Sequence, residues 1–376
     1  MACVSSAFIV GGGIAGLSAA IALSREGVKC DVVEIADAPL GASLGLSGRA
    51  AEALDELGVY DECCATGMPF TNDSTAGSLW SADGRLISSG PERPSWPGAK
   101  ANVAVYRPVF IPILSAAAER LGATVQKGVT VDKIEEREDA TWVKLSNGDE
   151  RRYDLVIGAD GIGSRTRSLV FPEAAKPTYA GQMSIRWMVP GPAIANEGFY
   201  VGPLGRVGFY YLPHQDLVYV PAVINIPEWK WFTKQEVHEM FTRLLDSFTA
   251  VAMQELRRRL TPDSELIGRP FEWILMPAPW HRGRTLLIGD AAHATTAHMG
   301  MGGGMALEDA VVLAQCIASA STLPEAFDAF MARRFERVRS VVETSVKLSC
   351  LEQEDAPKSE NITLLTSALK ALAEPY

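Results

Sequence analysis

The sequence predicts an α/β protein: a Rossmann-like nucleotide-binding domain with an inserted, mainly antiparallel β-sheet domain and helices at its C-terminal end. Three observations support this prediction. A strand, a glycine-rich turn, a helix and a second strand follow one another within residues 7–34. An apolar strand followed by glycine and aspartate occurs again near residues 155–160 and 286–290. Residues 176–275 are rich in aromatic and β-branched residues broken by proline and glycine, which is typical of strands.

The composition is that of an ordinary globular protein. The chain has 376 residues, enough for two domains or one large α/β unit, and 47% of them are hydrophobic. Its net charge of −10 argues against binding to nucleic acid, which relies on clustered basic residues. The six cysteines form no CxxC pair and show no metal-ligand spacing, so no metal site is expected. The apolar run from Ala7 to Leu23 lacks a basic leading segment and is too short to span a bilayer. We therefore expect a cytoplasmic protein that does not enter a membrane.

The first glycine-rich turn has the GxGxxG spacing of a dinucleotide-binding motif, formed by Gly11, Gly13 and Gly16. The first glycine permits the turn, and the second lets backbone approach a pyrophosphate at the N-terminus of the helix Ile14–Arg25. The third lets helix and strand pack closely. Glu34 ends the next strand, where a carboxylate can accept hydrogen bonds from a ribose hydroxyl. Together these features favour a bound dinucleotide over a turn that serves packing alone.

Two later turns indicate which dinucleotide is bound. In "DLVIGADGIGSRTRSLV" a strand at 155–157 is followed by Asp160, and in "RTLLIGDAAHATTAHMG" a strand at 286–288 is followed by Asp290. These turns must return in space to the ligand of the first turn to be useful. A short contact with NAD would not need them, whereas FAD, with its ribityl chain and isoalloxazine ring, would.

With these three motifs in order, the chain resembles the group A flavoprotein monooxygenases, the aromatic hydroxylases of the para-hydroxybenzoate hydroxylase fold. The resemblance covers residues 4–350 and lies in "GGGIAGLSAAIAL…VVE", the DG-type motif "GADGIGSRTR" and the GD-type motif "LLIGDAAHATTAHMGMGGGMALEDA". It implies a discontinuous FAD-binding domain (1–71, 98–175 and 276–350), a substrate-binding β-sheet domain (72–97 and 176–275) and a C-terminal helical tail (351–376).

The resemblance also implies roles for individual residues. The turn of the first motif and Glu34 would hold the ADP half of FAD, and Asp290 would hold the ribityl hydroxyls. Asp160 would lie near the pyrophosphate and the surface where nicotinamide docks, close to Arg165 and Arg167. The residues expected to bind FAD are Gly11, Gly13, Ile14, Ala15, Gly16, Glu34, Arg49, Arg107, Asp160, Asp290, Gly300, Gly302 and Gly303.

The glycine run "GMGGG" at 300–304 would bring backbone N–H groups to the pyrimidine edge of the flavin. A helix beginning near Met305 would direct its positive end there, and Glu308 and Asp309 in its first turns suit that macrodipole. The chain departs from the family pattern at Ala297, where proline is usual, and at Met301, where glutamine is frequent. Both changes affect the loop over the reactive face of the flavin.

The inserted strands supply the candidates for substrate contact: Arg186, Arg206, Tyr211, His214, Tyr219 and Ala297. Arg206 lies within a β segment and would recognise a carboxylate or enolate unless it lies on a solvent-facing edge. The family sometimes has an arginine two residues further along this strand, where this chain has Gly208. His214 reads either as an exposed turn residue or as a proton-transfer group. His298, beside the flavin loop, is the first histidine to test as an acid or base. Residues 72–97 are expected to add a hairpin to the sheet.

The resemblance implies a monooxygenase that uses NADH or NADPH, FAD and O2 to hydroxylate an activated aromatic or N-heteroaromatic ring through a flavin C4a-hydroperoxide. Phenols, hydroxypyridines and quinolones are the expected substrate types, and the protein would be a monomer or a homodimer. The chain has no second GxGxxG fold for NAD(P)H, so the nicotinamide would dock transiently.

Three alternatives remain open at this point. A flavin-dependent halogenase of the same fold would need a Trp-x-Trp-x-Ile-Pro segment, which is absent. A flavoprotein reductase or dehydrogenase would act without inserting oxygen. A non-catalytic flavin-binding regulator would hold FAD without substrate-stimulated oxidation of NAD(P)H.

Overall fold

The computed structural model describes residues 3–38, 41–71, 77–91, 93–137 and 139–376. The strands are β1 (Ser6–Val10), β2 (Lys29–Glu34), β3 (Ser43–Leu46), β4 (Met68–Phe70), β5 (Leu79–Ser81), β6 (Leu86–Ser88), β7 (Asn102–Tyr106), β8 (Thr124–Lys127), β9 (Val131–Glu136), β10 (Thr141–Leu145), β11 (Glu150–Tyr153), β12 (Leu155–Gly158), β13 (Thr178–Pro190), β14 (Gly198–Gly202), β15 (Gly205–Leu212), β16 (Leu217–Asn225), β17 (Leu266–Trp273), β18 (His281–Arg282) and β19 (Thr285–Leu287).

The helices are α1 (Ile14–Arg25), α2 (Arg49–Glu56), α3 (Tyr60–Thr66), α4 (Arg107–Arg120), α5 (Arg165–Val170), α6 (Lys234–Asp246), α7 (Val251–Arg259), α8 (Asp290–His293), α9 (Gly302–Ser319), α10 (Leu323–Gln353) and α11 (Lys358–Ala371). The predicted helix at 14–25 is confirmed in both bounds. None of these helices in the described part of the chain is both long and apolar enough to cross a bilayer.

A six-stranded sheet with the order β18-β19-β12-β1-β2-β8 forms the centre of the nucleotide-binding part. Five of its strands are parallel, because β1 pairs with β2 and β12, β2 with β8, and β12 with β19. Its central strands are apolar and buried, since helices such as α1 and α9 cover the sheet. The Rossmann-like prediction is therefore confirmed, and the three predicted motif strands are neighbours in one sheet.

A seven-stranded sheet with the order β17-β13-β16-β15-β14-β5-β6 contains the strands of the inserted region. All its pairs are antiparallel except β14 with β5. The hairpin expected from residues 72–97 is β5 and β6, and it extends the sheet at one edge; residues 72–76 and 92 of that range lie outside the described residues. Two smaller sheets complete the fold, with the orders β11-β10-β9 and β3-β7-β4.

The two faces of the seven-stranded sheet differ in character. One face carries Ile185, Trp187 and Phe209, which are buried against α6 and α7. The register places Arg186 opposite Pro221, Met188 opposite Tyr219 and Tyr219 opposite Tyr210, so these side chains share the other face. We call this second face the inner face. Residues paired across β13, β16 and β15 form rows on it, and the first and last of these rows are Ser184–Val223–Arg206 and Met188–Tyr219–Tyr210.

The C-terminal helices join the two sheets. Helix α10 runs through the predicted boundary at residues 350/351 without a break, and α11 lies in the predicted tail. Ser349 Oγ donates a hydrogen bond to Gln182 Oε1 of β13 (2.7 Å), and Gln353 donates to the carbonyl oxygen of Ala180 (2.9 Å). The end of α10 therefore lies against the seven-stranded sheet.

Candidate functional site

The three motif turns meet at one edge of the six-stranded sheet. Because β1, β12 and β19 are parallel neighbours, the turn that follows each strand lies at the same carboxyl edge. Gly11 has φ +108°, and a Cβ added there would lie 2.4 Å from the carbonyl oxygen of Ala159. Gly289 lies close to the first helix, since its added Cβ would lie 2.8 Å from the Cβ of Ala15. Three stretches far apart in the chain therefore converge on the start of α1.

The second glycine of the first motif faces open space. A Cβ added at Gly13 meets no atom within 4 Å, whereas one added at Gly16 would lie 1.9 Å from the carbonyl oxygen of Gly11. Gly16 is thus required by the packing of the turn. Gly13 leaves room for a ligand at the N-terminus of α1, where Ile14 and Ala15 present the first backbone N–H groups of a 12-residue helix.

Glu34 lies beside this turn, at the end of β2. Its Oε2 accepts a hydrogen bond from the backbone N–H of Gly12 (2.7 Å), and its Oε1 accepts one from Ala36 (2.7 Å). The carboxylate is half-exposed and therefore still accessible. Its contact with a ribose hydroxyl stays a prediction.

Asp290, the first residue of α8, lies on the wall of a cleft. Burial raises its pKa, against the opposing charges of His293 and Arg107. Its surface is nevertheless exposed. Both observations describe a carboxylate that is surrounded by protein on most sides but whose oxygen atoms are not covered, as expected for a ligand-binding group.

Two arginines bring positive charge to the same opening. Burial and the charge of Arg186 lower the pKa of Arg107, while Asp290 raises it, so the three groups lie within electrostatic range of one another. Arg107 begins α4 and packs against Gly41, whose added Cβ would lie 2.9 Å from its Cδ. Its Nε is buried and has no hydrogen-bond partner among the described residues. Such a donor fits an acceptor on a ligand.

Helix α9 begins at Gly302 and not near Met305, so the predicted start is wrong by one turn. The glycine run therefore forms the N-terminus of the helix itself. Gly300 has φ +67° and open space around its added Cβ, and the added Cβ of Gly302 meets only Thr295, at 3.4 Å. Gly303 serves packing, since its added Cβ would lie 2.8 Å from Leu44. Bare backbone at Gly300 and Gly302 is thus presented at the N-terminal end of an 18-residue helix.

The role predicted for Glu308 and Asp309 is also wrong. Both are buried beyond the first turn of α9 and pair with the buried Arg334 of α10, at 2.6 Å and 2.8 Å. The other oxygen of Asp309 accepts a hydrogen bond from the N–H of Gly289 (2.9 Å) and lies 2.6 Å from Nε2 of His293. Although burial acts to raise it, the charges of His293 and Arg334 lower the pKa of Asp309 to about 2. This network fixes the turn that presents Asp290.

Asp160 holds its own turn together. Its carboxylate accepts hydrogen bonds from Ser164 Oγ (2.5 Å) and from the N–H of Thr166 (2.9 Å). Arg167, which was expected on a nicotinamide surface, is buried and donates to the carbonyl oxygen of Ala291 (2.8 Å). Arg165 is exposed and pairs with Asp132. Arg167 is therefore structural, and the place of Asp160 near the pyrophosphate stays a prediction. The backbone beside Asp160 is open, since an added Cβ at Gly161 meets no atom within 4 Å.

Arg49, at the start of α2, is engaged by protein groups. Its Nε donates to the carbonyl oxygen of Ala373 (2.7 Å), it pairs with Glu52, and its guanidinium lies 4.0 Å from the ring centre of Trp96. The structure thus gives Arg49 a role in docking the C-terminal residues.

The inner face of the seven-stranded sheet brings together three of the predicted substrate residues, Arg186, Arg206 and Tyr219. Tyr211 points to the opposite face, where it packs on the core of that domain and bonds Asp216 (2.9 Å). Its neighbour Tyr210, which the sequence did not single out, lies on the inner face opposite Tyr219. Because side chains alternate along a strand, Tyr210 and Tyr211 must lie on opposite faces, but the sequence alone does not say which of them lies on the inner face.

Phe199 explains why Gly208 carries no side chain. A Cβ added at Gly208 would lie 2.8 Å from the ring of Phe199, its cross-strand partner. The ring of Phe199 meets Tyr210 edge to face, with 5.8 Å between centroids, and the guanidinium of Arg206 lies 4.9 Å from its centre. The ring of Phe199 therefore fills the space above Gly208 and contacts Arg206 in the neighbouring row.

The two candidate histidines differ in their surroundings. His214 is exposed in the turn between β15 and β16 and lies outside the inner face. The side chain of His298 is 3% exposed; its Nδ1 lies 3.0 Å from Thr296 Oγ1 and its Nε2 3.2 Å from Glu352. Burial lowers the pKa of His298, against the effect of Glu352. Ala297, one residue earlier, is exposed, and its carbonyl oxygen accepts a bond from the N–H of Gly300 (3.2 Å).

The cleft between the motif turns and the inner face fits FAD. Open backbone at Gly13, Gly161 and Gly300 suits a ligand that lies against main chain, and two long helices direct their N-termini toward it. The uncovered carboxylate of Asp290 and the unbonded Nε of Arg107 supply an acceptor and a donor.

Comparison with known proteins gives the same result. The family described as FAD binding domain matches residues 4–345. The aurachin C monooxygenase/isomerase of Stigmatella aurantiaca is 30% identical over 92% of this chain and 89% of its own. The 2-heptyl-3-hydroxy-4(1H)-quinolone synthase of Pseudomonas aeruginosa is 29% identical over 93% of this chain and 90% of its own.

A solved structure has the same fold. Klebsiella pneumoniae HpxO, complexed with FAD and uric acid, superposes with a TM-score of 0.81 over 99% of this chain and 97% of its own, at 24% identity. The chain thus belongs to the FAD binding domain family, and it is an FAD-dependent monooxygenase of the group A aromatic hydroxylase type.

Proposed function

We propose that the enzyme uses NADH or NADPH and O2 to hydroxylate an electron-rich phenolic or N-heteroaromatic ring that carries negative charge. The observation that carries this proposal is the inner face of the seven-stranded sheet, where Arg186 lies beside Tyr219 and within electrostatic range of Arg107. Relatives named for a quinolone and a neighbour complexed with uric acid support a ring of this size and chemistry.

The cofactor would be held by the residues that the three turns bring together. Gly13 and the N-terminus of α1 would receive the pyrophosphate, Glu34 the ribose, and Asp290 the ribityl hydroxyls. Arg107 and the open backbone at Gly300 and Gly302 would contact the ring. When bound, FAD supplies the redox chemistry, accepting hydride from the nicotinamide and delivering one oxygen atom of O2 to the substrate.

The protein's own residues orient the ring and favour its reactive form. An anionic oxygen on the substrate would be stabilised by Arg186, and the phenol of Tyr219 would donate to it, because burial raises the pKa of Tyr219 and keeps it protonated. Stabilising the anion increases the electron density of the ring, which the electrophilic oxygen requires. Pro221 and Phe199 line the same face with apolar surface and exclude water.

The reaction is tested on the purified yellow protein with 4-hydroxyquinoline, 2-hydroxypyridine, urate and salicylate. Substrate-stimulated oxidation of NAD(P)H under 18O2, with one labelled oxygen in the product ring, is expected for at least one compound. Flavin reduction by substrate without label in any product would favour the dehydrogenase alternative and overturn the proposal. Arg186→Gln should raise KM about 10- to 100-fold, since a charge-assisted hydrogen bond contributes about 1.5–3 kcal/mol. The exposed Arg258→Gln, on α7 at the opposite face of the sheet, serves as the control.

A further inference from the structure

Glu352, near the end of α10, reaches the inner face of the seven-stranded sheet from outside it. The helix end is fixed there by Ser349 and Gln353, which bond Gln182 and the carbonyl oxygen of Ala180. Gly181 has φ +78°, and its added Cβ would lie 2.4 Å from Oε1 of Gln353, so the helix and strand are in close contact. Glu352 is therefore placed by a rigid connection.

The carboxylate of Glu352 lies between two cationic or potentially cationic groups. Its Oε1 is 3.0 Å from Nε of Arg206, and its Oε2 is 3.2 Å from Nε2 of His298. Neither nitrogen is aligned for a full hydrogen bond, and the contact with Arg206 is the ion pair of the two. Although burial acts to raise it, Arg206 and His298 lower the pKa of Glu352 to about 2, so the group is charged at neutral pH.

Arg186 and Arg206 of the inner face are therefore not equivalent. Arg206 has a carboxylate at salt-bridge distance, and both side chains are less than one-fifth exposed (18% and 19%). Arg186 has no carboxylate within that distance among the described residues, and its charged neighbour is Arg107. Of these two arginines, Arg186 is therefore the one whose charge a ligand can balance.

We propose that Glu352 is a specificity-determining residue: it occupies Arg206 as an internal anion and leaves Arg186 to recognise the negative charge of the substrate. This inference rests on the proposed function in placing the substrate on the inner face. Removal of the Glu352 charge would leave Arg206 partly buried without a counter-ion, which is unfavourable. In such a variant Arg206 would become available to bind an aromatic anion, one row away from Arg186.

The test compares two ligands of similar shape that differ in charge, salicylate and salicylamide. Their dissociation constants are measured on the FAD-loaded protein from changes in flavin absorbance, without NAD(P)H. For Glu352→Gln we expect the dissociation constant of salicylate to fall at least about 10-fold and that of salicylamide to change less than about two-fold, a difference of about 1.4 kcal/mol. The exposed Glu354→Gln should change neither value.

Two further variants separate this role from a purely structural one. Adding Arg206→Gln to Glu352→Gln should abolish the gain for salicylate. Arg186→Gln, which leaves Glu352 in place, should lower the preference for salicylate over salicylamide at least about 10-fold. Thermal unfolding of each variant verifies that it is folded.

The inference is overturned if Glu352→Gln changes both affinities in parallel or neither, if it shows no detectable salicylate binding, or if Arg186→Gln keeps the preference for the anion. These are equilibrium measurements on oxidised protein. Their outcome is therefore independent of whether labelled oxygen enters a substrate ring, the result on which the proposed function depends.

Discussion

The backbone N–H of Gly289 donates a hydrogen bond of 2.9 Å to Asp309, which lies 20 residues later in the chain. Asp309 thus stabilises the turn at Gly289, which is followed directly by Asp290. The same carboxylate pairs with Arg334, so a helix far along the chain helps to fix a cofactor-binding turn. The shape of the site depends on this buried ion network as much as on the glycines that line it.

Asp309→Asn should destabilise the protein and weaken FAD binding together. Asparagine keeps an oxygen for Gly289 but leaves Arg334 with one fewer buried counter-charge, and breaking such a pair costs about 3–5 kcal/mol. Urea unfolding of the apoprotein and titration with FAD measure the two effects. Asp328→Asn, exposed on α10, is the matched control. An unchanged free energy of unfolding would contradict the role given to the network.

The same group predicts a specific response to acid. The pKa of Asp309 falls from 3.8 when unfolded to about 2 when folded. The stability it contributes is therefore fully present above about pH 4 and is lost as the pH falls through 3.8 toward 2. Unfolding measured between pH 2 and 5 should show a steeper loss for the native protein than for Asp309→Asn. Parallel pH profiles would show that the folded-state pKa is not depressed.

Gly13 and Gly16 should fail in different ways when substituted. Gly13→Val should leave the unfolding temperature of the apoprotein nearly unchanged and abolish FAD binding, because the side chain enters only the open space of the cleft. Gly16→Ala should destabilise the apoprotein itself, since its Cβ would lie 1.9 Å from a carbonyl oxygen. Thermal unfolding without FAD distinguishes the two. A strongly destabilised Gly13→Val would refute the assignment of that space to a ligand.

Asp290 should show opposite effects on stability and on cofactor binding. Its pKa is raised in the folded apoprotein. The folded state thus favours the protonated form, and stability falls as the pH rises from 3.8 through the folded pKa. Asp290→Asn should then unfold at a higher temperature than the native apoprotein at pH 7. Asp290→Ala should bind FAD about 10- to 100-fold more weakly, through the loss of charge-assisted hydrogen bonds. Full flavin retention by Asp290→Ala would refute its role.

The neighbouring tyrosines test the register of β15. Tyr210→Phe should raise the dissociation constant of an anionic aromatic ligand about five-fold, because a buried hydroxyl near Arg206 and Tyr219 contributes about 1 kcal/mol. Tyr211→Phe should change it little, since the hydroxyl of Tyr211 bonds Asp216 on the other face. The reverse result would mean that the opposite face of the strand binds the ligand.

The parts of the fold that the sequence predicted well are those governed by local rules. The glycine-rich turn and the helix Ile14–Arg25 follow from backbone sterics and from the spacing of apolar residues, and the structure has both where they were predicted. The turns at Asp160 and Asp290 were expected to lie near the first turn because all three would bind the same FAD. These features need only short stretches of sequence to be recognised.

The errors concern partners that are distant in the chain. Glu308 and Asp309 were read as helix-dipole residues because Arg334, which binds them, lies on a helix of mixed charge pattern. Arg167 was read as a surface cation because its acceptor, Ala291, belongs to another motif. Tyr211 was named as a candidate for substrate contact but lies on the opposite face of β15, because a two-residue period leaves the choice of face to tertiary packing.

The ring of Phe199 over Gly208 has a consequence for how this fold diversifies. A smaller residue at 199 would empty the space above 208 and make room there for a long cationic side chain. An arginine could then stand at position 208 in place of position 206, one row away on the sheet, provided that residue 199 changes as well. Substrate preference in such enzymes would shift by paired replacements on adjacent strands, with neither replacement tolerated well alone.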